Sequence, residues 1–219
     1  MNKLFFPSIL VIALNLYAGN SYEAHREAPI KTDILEFNQI ILSDEEELNQ
    51  LLSYYQINPD NWIKSMSTLY KEIEDGDCIL GIKNGKLHCL VNGVIIKCFF
   101  TNDKQERFQL FEEKQVFKNG QTRERGHRFV AEKLKSDESP EQGALRGLTE
   151  ELQISGPDVH LIRLSEEDKC DTVESIDYRG IQTTYSTSVF SCEIPDSHYK
   201  DYYIEDQEDK KTFFSWVKI

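Results

Sequence analysis

The sequence predicts a mixed α/β or α+β fold, and three observations lead to that prediction. Short runs that alternate apolar and polar residues are separated by Asn-Gly pairs, which are typical of β-hairpins. A helix in the second half of the chain starts with a Ser-Pro cap and carries an apolar stripe. Further strand-like runs follow that helix, so strands precede and follow it along the chain.

Length and charge exclude several classes of protein. The chain has 219 residues, which suits one domain with a small N-terminal extension. It contains 38 acidic and 25 basic residues, a formal net charge of −13. That balance disfavours broad binding to nucleic-acid backbones. A mean hydropathy of −0.51 excludes a polytopic membrane protein.

The N-terminus has the pattern of a secretory or targeting segment. A Met-Asn-Lys start precedes an apolar run from Leu4 to Ala18, which is too short for a spanning helix of about 20 residues. With a signal the protein would be secreted or periplasmic, and otherwise cytoplasmic; a buried N-terminal segment is the alternative. The predicted division of the chain is a targeting segment at 1–21, an extension at 22–60 and the main domain at 61–219.

The five cysteines form no Cys-x-x-Cys pair, which argues against a zinc ribbon. Three of the cysteines lie in apolar segments with a strand-like pattern: Cys78, Cys89 and Cys98. Free cysteine in such segments is usually a small buried hydrophobe, so buried thiols are expected there. A single disulfide is the alternative.

The elements before the central helix follow from caps and turn residues. A capped helix is predicted from Ser43, with acids in its first turn, and a second helix across Ile63 to Glu74. Asn84-Gly85 and Asn92-Gly93 are predicted as hairpin turns. Strands are predicted at Cys78–Ile82, Lys86–Val91, Val94–Phe100, Phe108–Phe117, Arg128–Leu134, His160–Leu164, Thr183–Cys192 and Thr212–Lys218.

The central helix is predicted from Pro140 to about Gln153. Ser139 is a natural N-cap, and Gln142 completes a capping box. At about 100° per residue, one face carries an apolar stripe. That stripe comprises Ala144, Leu145, Leu148 and Leu152, and the opposite side comprises Arg146, Gly147, Glu150 and Glu151.

Two carboxylates therefore point from a rigid helix towards one region. Glu150 follows Arg146 by four residues, so the two are neighbours on the helix surface. Hard cations such as Mg²⁺ take carboxylate oxygens and share the rest of their shell with water and phosphate. An ordinary solvated face with an ion pair is the alternative.

The segment from Ala131 to Ile154 resembles the Nudix box, G-x5-E-x7-R-E-U-x-E-E-x-G-U, where U is bulky and aliphatic. The matching positions are Glu138, Arg146, Leu148, Glu150, Glu151 and Ile154. The departing positions are Glu132 for the first glycine, Gly147 for the glutamate after the arginine, and Gln153 for the last glycine. The Arg-Gly-Leu text is similar to a variant subgroup of Nudix-like proteins with glycine at that place.

This resemblance implies a fold and a reaction. The fold is a Nudix-type α/β/α sandwich with a mixed sheet, preceded by a small helical and hairpin extension. The reaction is metal-dependent hydrolysis, with Mg²⁺ or Mn²⁺, of a nucleoside diphosphate linked to another moiety. Water attacks a diphosphate phosphorus, and the partner is a small-molecule nucleotide diphosphate derivative. A Nudix-fold binding module without hydrolysis, or a secreted interaction protein, are the alternatives, because Gly147 removes a catalytic acid.

The resemblance also implies roles for single residues. Glu150 and Glu151 would be metal ligands, Arg146 would orient carboxylates, and Glu138 would fix the loop before the helix. Glu132 and Gly147 exchange residue types relative to the usual box, which suggests that Glu132 belongs to the metal site and restores the lost charge. The alternative is that Glu132 faces solvent or pairs with Lys133 or Lys135. Candidates for a base outside the box are Glu166, Glu167, Asp168, Glu193 and Glu205.

Substrate contacts are not assigned by the pattern. The aromatic candidates for stacking on a base are Tyr178, Tyr185 and Phe190. The alternative is that they are core or strand residues. A local basic patch, which would meet phosphates or form a solvated turn, comprises Arg123, Arg125, His127 and Arg128.

Overall fold

The computed structural model describes residues 10–13, 37–157 and 159–219, with backbone alone at 10–13. The chain divides into two compact units. The first unit comprises residues up to Val91 together with Asp171–Thr184. The second unit comprises Asn92–Cys170 and Tyr185–Ile219.

The first unit contains two helices and the strands of one sheet. Its elements are β1 (Leu10–Ala13), β2 (Asn38–Ile41), α1 (Glu45–Tyr54), α2 (Met66–Glu74), β3 (Ile79–Lys83) and the start of β4 (Lys86–Thr101). The strands pair in the order β1–β2–β3–β4, each pair antiparallel. The targeting segment predicted at residues 1–21 lies outside the described residues except for this backbone stretch, and it stays a prediction.

The helices of the first unit begin at polar caps. The Asp44 side chain accepts the N–H of Glu47, so α1 starts close to the predicted residue. The second helix starts at Met66 rather than Ile63, because the side chain of Ser65 accepts the N–H of Thr68. The predicted start was therefore wrong by three residues.

Residues before and after position 60 share one core in the first unit. Leu48 and Leu52 of α1 pack in the same cluster as Leu69 of α2 and Leu80 and Leu87 of the hairpin. The boundaries predicted at residues 21 and 60 stay predictions.

The second unit is built around a sheet with one long helix. Its further elements are β5 (Arg107–Phe117), β6 (Thr122–Arg128), β7 (Val130–Lys133), α3 (Pro140–Leu152), β8 (Leu161–Arg163), β9 (Lys169–Glu174), β10 (Gln182–Glu193), β11 (Tyr202–Asp206) and β12 (Lys210–Lys218). Strand β9 crosses the division between the units, as do β4 and β10. The order β4–β5–β12–β11 is antiparallel, β7 adds to β4, and β6 adds to β5.

The hairpin predicted at Asn92-Gly93 was wrong, because β4 runs unbroken through both residues. Strand β7 supplies partners there: Gly93 pairs with Lys133, and the Asn92 carbonyl accepts the N–H of Leu134 at 2.9 Å. Asn84-Gly85, by contrast, forms the predicted hairpin turn between β3 and β4. Both residues adopt positive φ, 52° and 73°, as a tight hairpin turn requires.

Strands β4 and β10 run parallel, which makes the sheet mixed. The side chain of His88 contacts Thr184 at 2.6 Å near the start of the pair. Further along, the N–H of Ile194 donates to the carbonyl of Phe99 at 2.7 Å. Residue numbers rise together along both strands, as they do only in a parallel pair.

The core of the second unit lies between α3 and the sheet. Leu148 and Leu152 of α3 pack with Ile96, Leu110 and Phe214 of the strands. The predicted α/β fold class, with the box helix packed against a mixed sheet, is confirmed. Within the described residues, no helix is both long and apolar enough to cross a membrane.

All five cysteines are free thiols. Cys78, Cys89, Cys98 and Cys192 are buried, and Cys170 is exposed. The expectation of buried thiols in strand-like text is confirmed.

Candidate active site

Helix α3 begins with the predicted capping box. The Ser139 hydroxyl accepts the N–H of Gln142 at 3.2 Å, and the Gln142 side chain accepts the N–H of Ser139 at 2.9 Å. These two bonds satisfy free N–H groups of the first turn and fix where the helix starts. The cap thereby sets the positions of the carboxylates that follow on the helix.

The face that α3 turns to the sheet differs from the predicted stripe. Its buried positions are Gly143, Ala144, Gly147, Leu148, Glu151 and Leu152. Leu145 is 40% exposed, so its place in the apolar stripe was wrong. Gly147 and Glu151 are buried rather than on an outer charged face. Gly147 and Glu151 follow Ala144 at successive intervals of three and four residues, so they lie on the same buried side of the helix.

Arg146 joins three carboxylates of the box segment. Its Nε and Nη2 donate to the two oxygens of Glu138, both at 2.8 Å. Its Nη1 lies 2.9 Å from an oxygen of Glu150 and 3.3 Å from an oxygen of Glu132. The paired bonds to Glu138 fix the plane of the guanidinium. They lower the pKa of Glu138 and raise that of Arg146.

Glu138 also holds the loop that leads into α3. Its carboxylate accepts the N–H of Lys135 at 3.1 Å. Gly143 permits this close approach, because a Cβ there would lie 2.2 Å from Leu134 Cδ2 and 3.3 Å from Glu138 Oε2. Loop, arginine and helix therefore form one hydrogen-bonded assembly.

Glu132 lies directly against Gly147. A Cβ at position 147 would be 3.1 Å from Glu132 Cβ and 3.5 Å from Ile96 Cδ1. The Glu132 stem therefore occupies the space that a side chain at 147 would take. Its carboxylate contacts Arg146 and accepts the N–H of Lys133 at 3.0 Å, and burial raises its pKa.

Glu151 is the most unusual group of the site. Its side chain is 8% exposed, and it forms no hydrogen bond or ion pair with any described residue. Burial raises the pKa of its carboxyl well above the ordinary value. Four nearby carboxylates add to the rise, in descending order Glu205, Glu132, Glu112 and Glu150. A buried anion among anions costs free energy unless a cation joins it.

The sheet contributes polar residues that the sequence pattern did not single out. Glu112 of β5 is 7% exposed and pairs with Arg125 at 2.8 Å. Gln115 and Thr212 are 8% and 3% exposed. A signal existed for Glu112: it follows the buried Leu110 by two residues, so strand alternation places it on the inner face.

Most other candidates lie elsewhere. Of the five acids considered as bases, Glu205 alone is among the charges that act on Glu151. Glu167 pairs with Lys97, Asp168 with Arg163 and Glu193 with Arg107, while Glu166 is exposed. Tyr178 and Phe190 are core residues, and Tyr185 is 43% exposed.

The basic patch lies on strand β6 and not in a turn, so that part of the expectation was wrong, but most of the patch is exposed as expected. Arg123, Arg125, His127 and Arg128 belong to that strand, which pairs with β5. The His127 ring meets Phe111 edge-on, with centroids 5.3 Å apart.

The donor set fits a hard divalent cation. It consists of carboxylates, and one of them, Glu151, is buried and has no partner among the described residues. Carboxylate oxygens are the ligands that Mg²⁺ and Mn²⁺ prefer. As the side chains stand, no three His, Cys, Asp or Glu groups within residues 37–157 and 159–219 are arranged to hold a metal ion. Two carboxylates of the set, Glu132 and Glu150, contact Arg146 instead.

No family model matches the chain, and no curated protein matches it. Several solved structures are similar to it. They include the NUDIX domain of Shewanella oneidensis NrtR complexed with ADP ribose, at 19% identity and a TM-score of 0.37, covering 59% of this chain and 73% of that one. A C. elegans Ap4A hydrolase binary complex has 14% identity and a TM-score of 0.34, covering 58% and 80%.

A third similar structure is RenU, a Nudix hydrolase from M. smegmatis, at 15% identity and a TM-score of 0.33, covering 58% of this chain and 70% of that one. These three structures carry Nudix or hydrolase names. Independently of them, the segment from Ala131 to Ile154 resembles the Nudix box.

Proposed function

We propose that this protein is a metal-dependent hydrolase of a nucleoside diphosphate linked to another moiety. The observation that carries the proposal is Glu151, a buried residue near four other carboxylates whose own carboxylate forms no hydrogen bond or ion pair with the residues that the structure describes. Taking an ion out of water costs several kcal/mol. A divalent cation offsets that cost, and the box resemblance supplies the reaction that such a cation serves.

The residues around Glu151 have distinct roles in this proposal. Glu151 and Glu150 bind Mg²⁺ or Mn²⁺, and Glu132 adds negative charge at the same place. Arg146 orients Glu150 and Glu132, while Glu138 fixes Arg146 and the loop. When bound, the cation neutralises phosphate charge and lowers the pKa of a bound water. The partner is a small-molecule nucleotide diphosphate derivative, and residues 1–21 are a targeting segment.

A second candidate function is binding without hydrolysis. Gly147 removes one carboxylate of the box, and Arg146 engages Glu138 and Glu150, two of the three that remain. A module of this kind would hold a nucleotide without turnover. Product-resolved screening of nucleotide diphosphate derivatives with Mg²⁺ and Mn²⁺ separates the two functions.

Substituting Glu151→Gln tests the hydrolase. The change keeps the size of the side chain and removes its charge, so turnover should fall at least about 10²-fold, the scale of losing one preorganised electrostatic group. Mn²⁺ affinity should fall with it. Glu141→Gln, an exposed acid of the same helix, is the matched control and should leave both unchanged. Unchanged turnover and metal affinity in Glu151→Gln would contradict the assignment of this protein as a metal-dependent hydrolase.

A further inference from the structure

The buried polar side chains of the second unit lie in one place. Among its described residues, four polar side chains are more than nine-tenths buried: Glu112, Gln115, Glu151 and Thr212. Glu151 comes from α3, and the other three come from β5 and β12. Buried polar groups require partners, so their clustering needs a physical reason.

A β-bulge brings the three sheet residues to the same face. In the pairing of β12 with β5, Phe214 lies opposite Glu112, whereas Thr212 lies opposite Gln115. The register shifts between them, so β5 has one extra residue at this point. Without the bulge, alternation would place Lys114 rather than Gln115 opposite Thr212.

Strand β11 extends this arrangement by one residue. Tyr203 pairs with Phe214, and Glu205 pairs with Thr212. Tyr203 and Phe214 belong to the core that α3 covers. Because Glu205 follows Tyr203 by two residues, Glu205 lies on that same face. The row Glu205–Thr212–Gln115, here called the polar row, therefore faces the helix that carries Glu151, and α3 packs against β11.

One group of the polar row lacks the partner expected of a buried group, and a second lies beside it. The Oγ1 atom of Thr212 is buried without a hydrogen-bond partner in the described structure. Burial raises the pKa of Glu205, while Gln207 and the nearby Thr212 hydroxyl lower it. The hydroxyl thus lies beside this carboxylate but outside hydrogen-bond geometry.

Glu205 differs from the other acids near Glu151 in its partners. Glu132 and Glu150 contact Arg146, and Glu112 pairs with Arg125. Glu205 accepts a hydrogen bond from Gln207 at 2.7 Å, and within residues 37–157 and 159–219 it forms no salt bridge. It is also the carboxylate with the largest effect on Glu151.

We infer that Glu205 supplies the carboxylate that the box lacks at Gly147, and that it binds the same divalent cation as Glu151. The Thr212 hydroxyl is then the hydrogen-bonding group for water in the shell of that cation, since Mg²⁺ and Mn²⁺ keep several waters. This inference rests on the proposed function, because it assumes the cation at Glu151. Compared with the usual box, one carboxylate ligand then comes from strand β11 and not from helix α3.

The test measures binding of Mn²⁺ alone to the full chain, from the electron paramagnetic resonance signal of free Mn²⁺. Glu205→Gln removes the charge and keeps a side-chain oxygen that can accept the hydrogen bond from Gln207. It should weaken Mn²⁺ binding at least about 10-fold, since even residues that only support metal ligands cost 10–100-fold. Asp206→Asn is the matched control: the adjacent residue is exposed, pairs with Lys211 and points to the opposite face. Its affinity should stay within about twofold of the original chain.

The outcomes separate this inference from the proposed function. If the unmodified chain binds no Mn²⁺, both fall. If Glu151→Gln loses Mn²⁺ and Glu205→Gln binds as well as the unmodified chain, the inference alone is overturned. If Glu205→Gln does not fold by circular dichroism, Glu205→Asp replaces it. That variant keeps the charge on a shorter stem and should show an intermediate affinity; unchanged affinity would again overturn the inference.

Discussion

Glu132 and Gly147 exchange places in size as well as in residue type. The usual box has a small residue on the strand and a glutamate on the helix, whereas here the strand side chain fills the space above a bare helix position. Such complementary pairs respond to substitution as a unit, because each residue sets the room that the other has.

We therefore expect the cost of Gly147→Ala to depend on residue 132. Alanine favours a helix by about 1 kcal/mol over glycine, but its Cβ would lie 3.1 Å from Glu132 Cβ. In the original chain the substitution should be neutral or destabilising, and in a Glu132→Gly background it should stabilise by up to about 1 kcal/mol. Urea unfolding of the four proteins gives the coupling. Additive free energies of unfolding would contradict the packing of Glu132 against this helix.

The carboxyl end of α3 shows how one element accommodates a departure from the box. Gln153 stands where the box has glycine, and it caps the helix with φ 58°. A left-handed conformation costs a non-glycine residue about 1–2 kcal/mol. The helix still ends there, because the N–H of Gln153 bonds Thr149 and the N–H of Ile154 bonds Leu148.

Gln153→Gly should therefore raise the free energy of unfolding by about 0.5–1 kcal/mol, after allowing for the greater freedom of glycine in the unfolded chain. The exposed hydrogen bond from Lys200 to Gln153 is lost, at small cost. Thermal and urea unfolding check the change. Glu141→Gly, within the right-handed part of α3, is the control and should destabilise the protein; the same result for Gln153→Gly would contradict the strain argument.

At the scale of the whole molecule, stability should depend on a buried histidine of the first unit. His88 is 4% exposed, and its Nε2 lies 2.6 Å from the Thr184 hydroxyl, which lies 2.7 Å from that of Thr172. Burial, and then the charge of Lys83, lower the pKa of this imidazole. The fold thus favours the neutral ring.

The sign of the pH effect follows from that lowered pKa. The unfolded chain binds a proton at His88 near pH 6.5, whereas the fold resists it until lower pH. The stabilisation from the neutral ring is therefore complete above about pH 6.5, and it declines as the pH falls below that value. Urea unfolding between pH 5 and 8 should show a shallower decline for His88→Gln than for the original chain. His160→Gln, at an exposed histidine, should leave the slope unchanged; equal slopes in His88→Gln and the original chain would contradict the prediction.

Local signals were enough for several features of the fold and site. The Ser139 cap, the Asn84-Gly85 turn and the Arg146–Glu150 pair involve residues at most four apart, and the structure has all three. Such contacts depend on neighbours in the chain, so residue type and spacing predict them. The α/β class followed for the same reason, since caps and alternation are local.

Other features depended on pairings between distant segments. The sequence Asn92-Gly93 is typical of a turn. In the structure it lies within a strand, because β7, about forty residues further along the chain, provides hydrogen-bond partners. Gln115 faces the site because a bulge against β12 shifts the register. The choice of Glu205 from five acids required the pairing of β11 with β12.

The sequence by itself determined where the box helix begins, which carboxylates it carries and how Arg146 reaches Glu150. The tertiary structure alone decided that Glu151 is buried, that Glu132 covers Gly147, and that the polar row lies on the face of the sheet towards α3. The physical reason is the range of the contacts. Helix spacing and caps are set by covalent neighbours, whereas burial and charge density arise only when strands far apart in the chain are brought together.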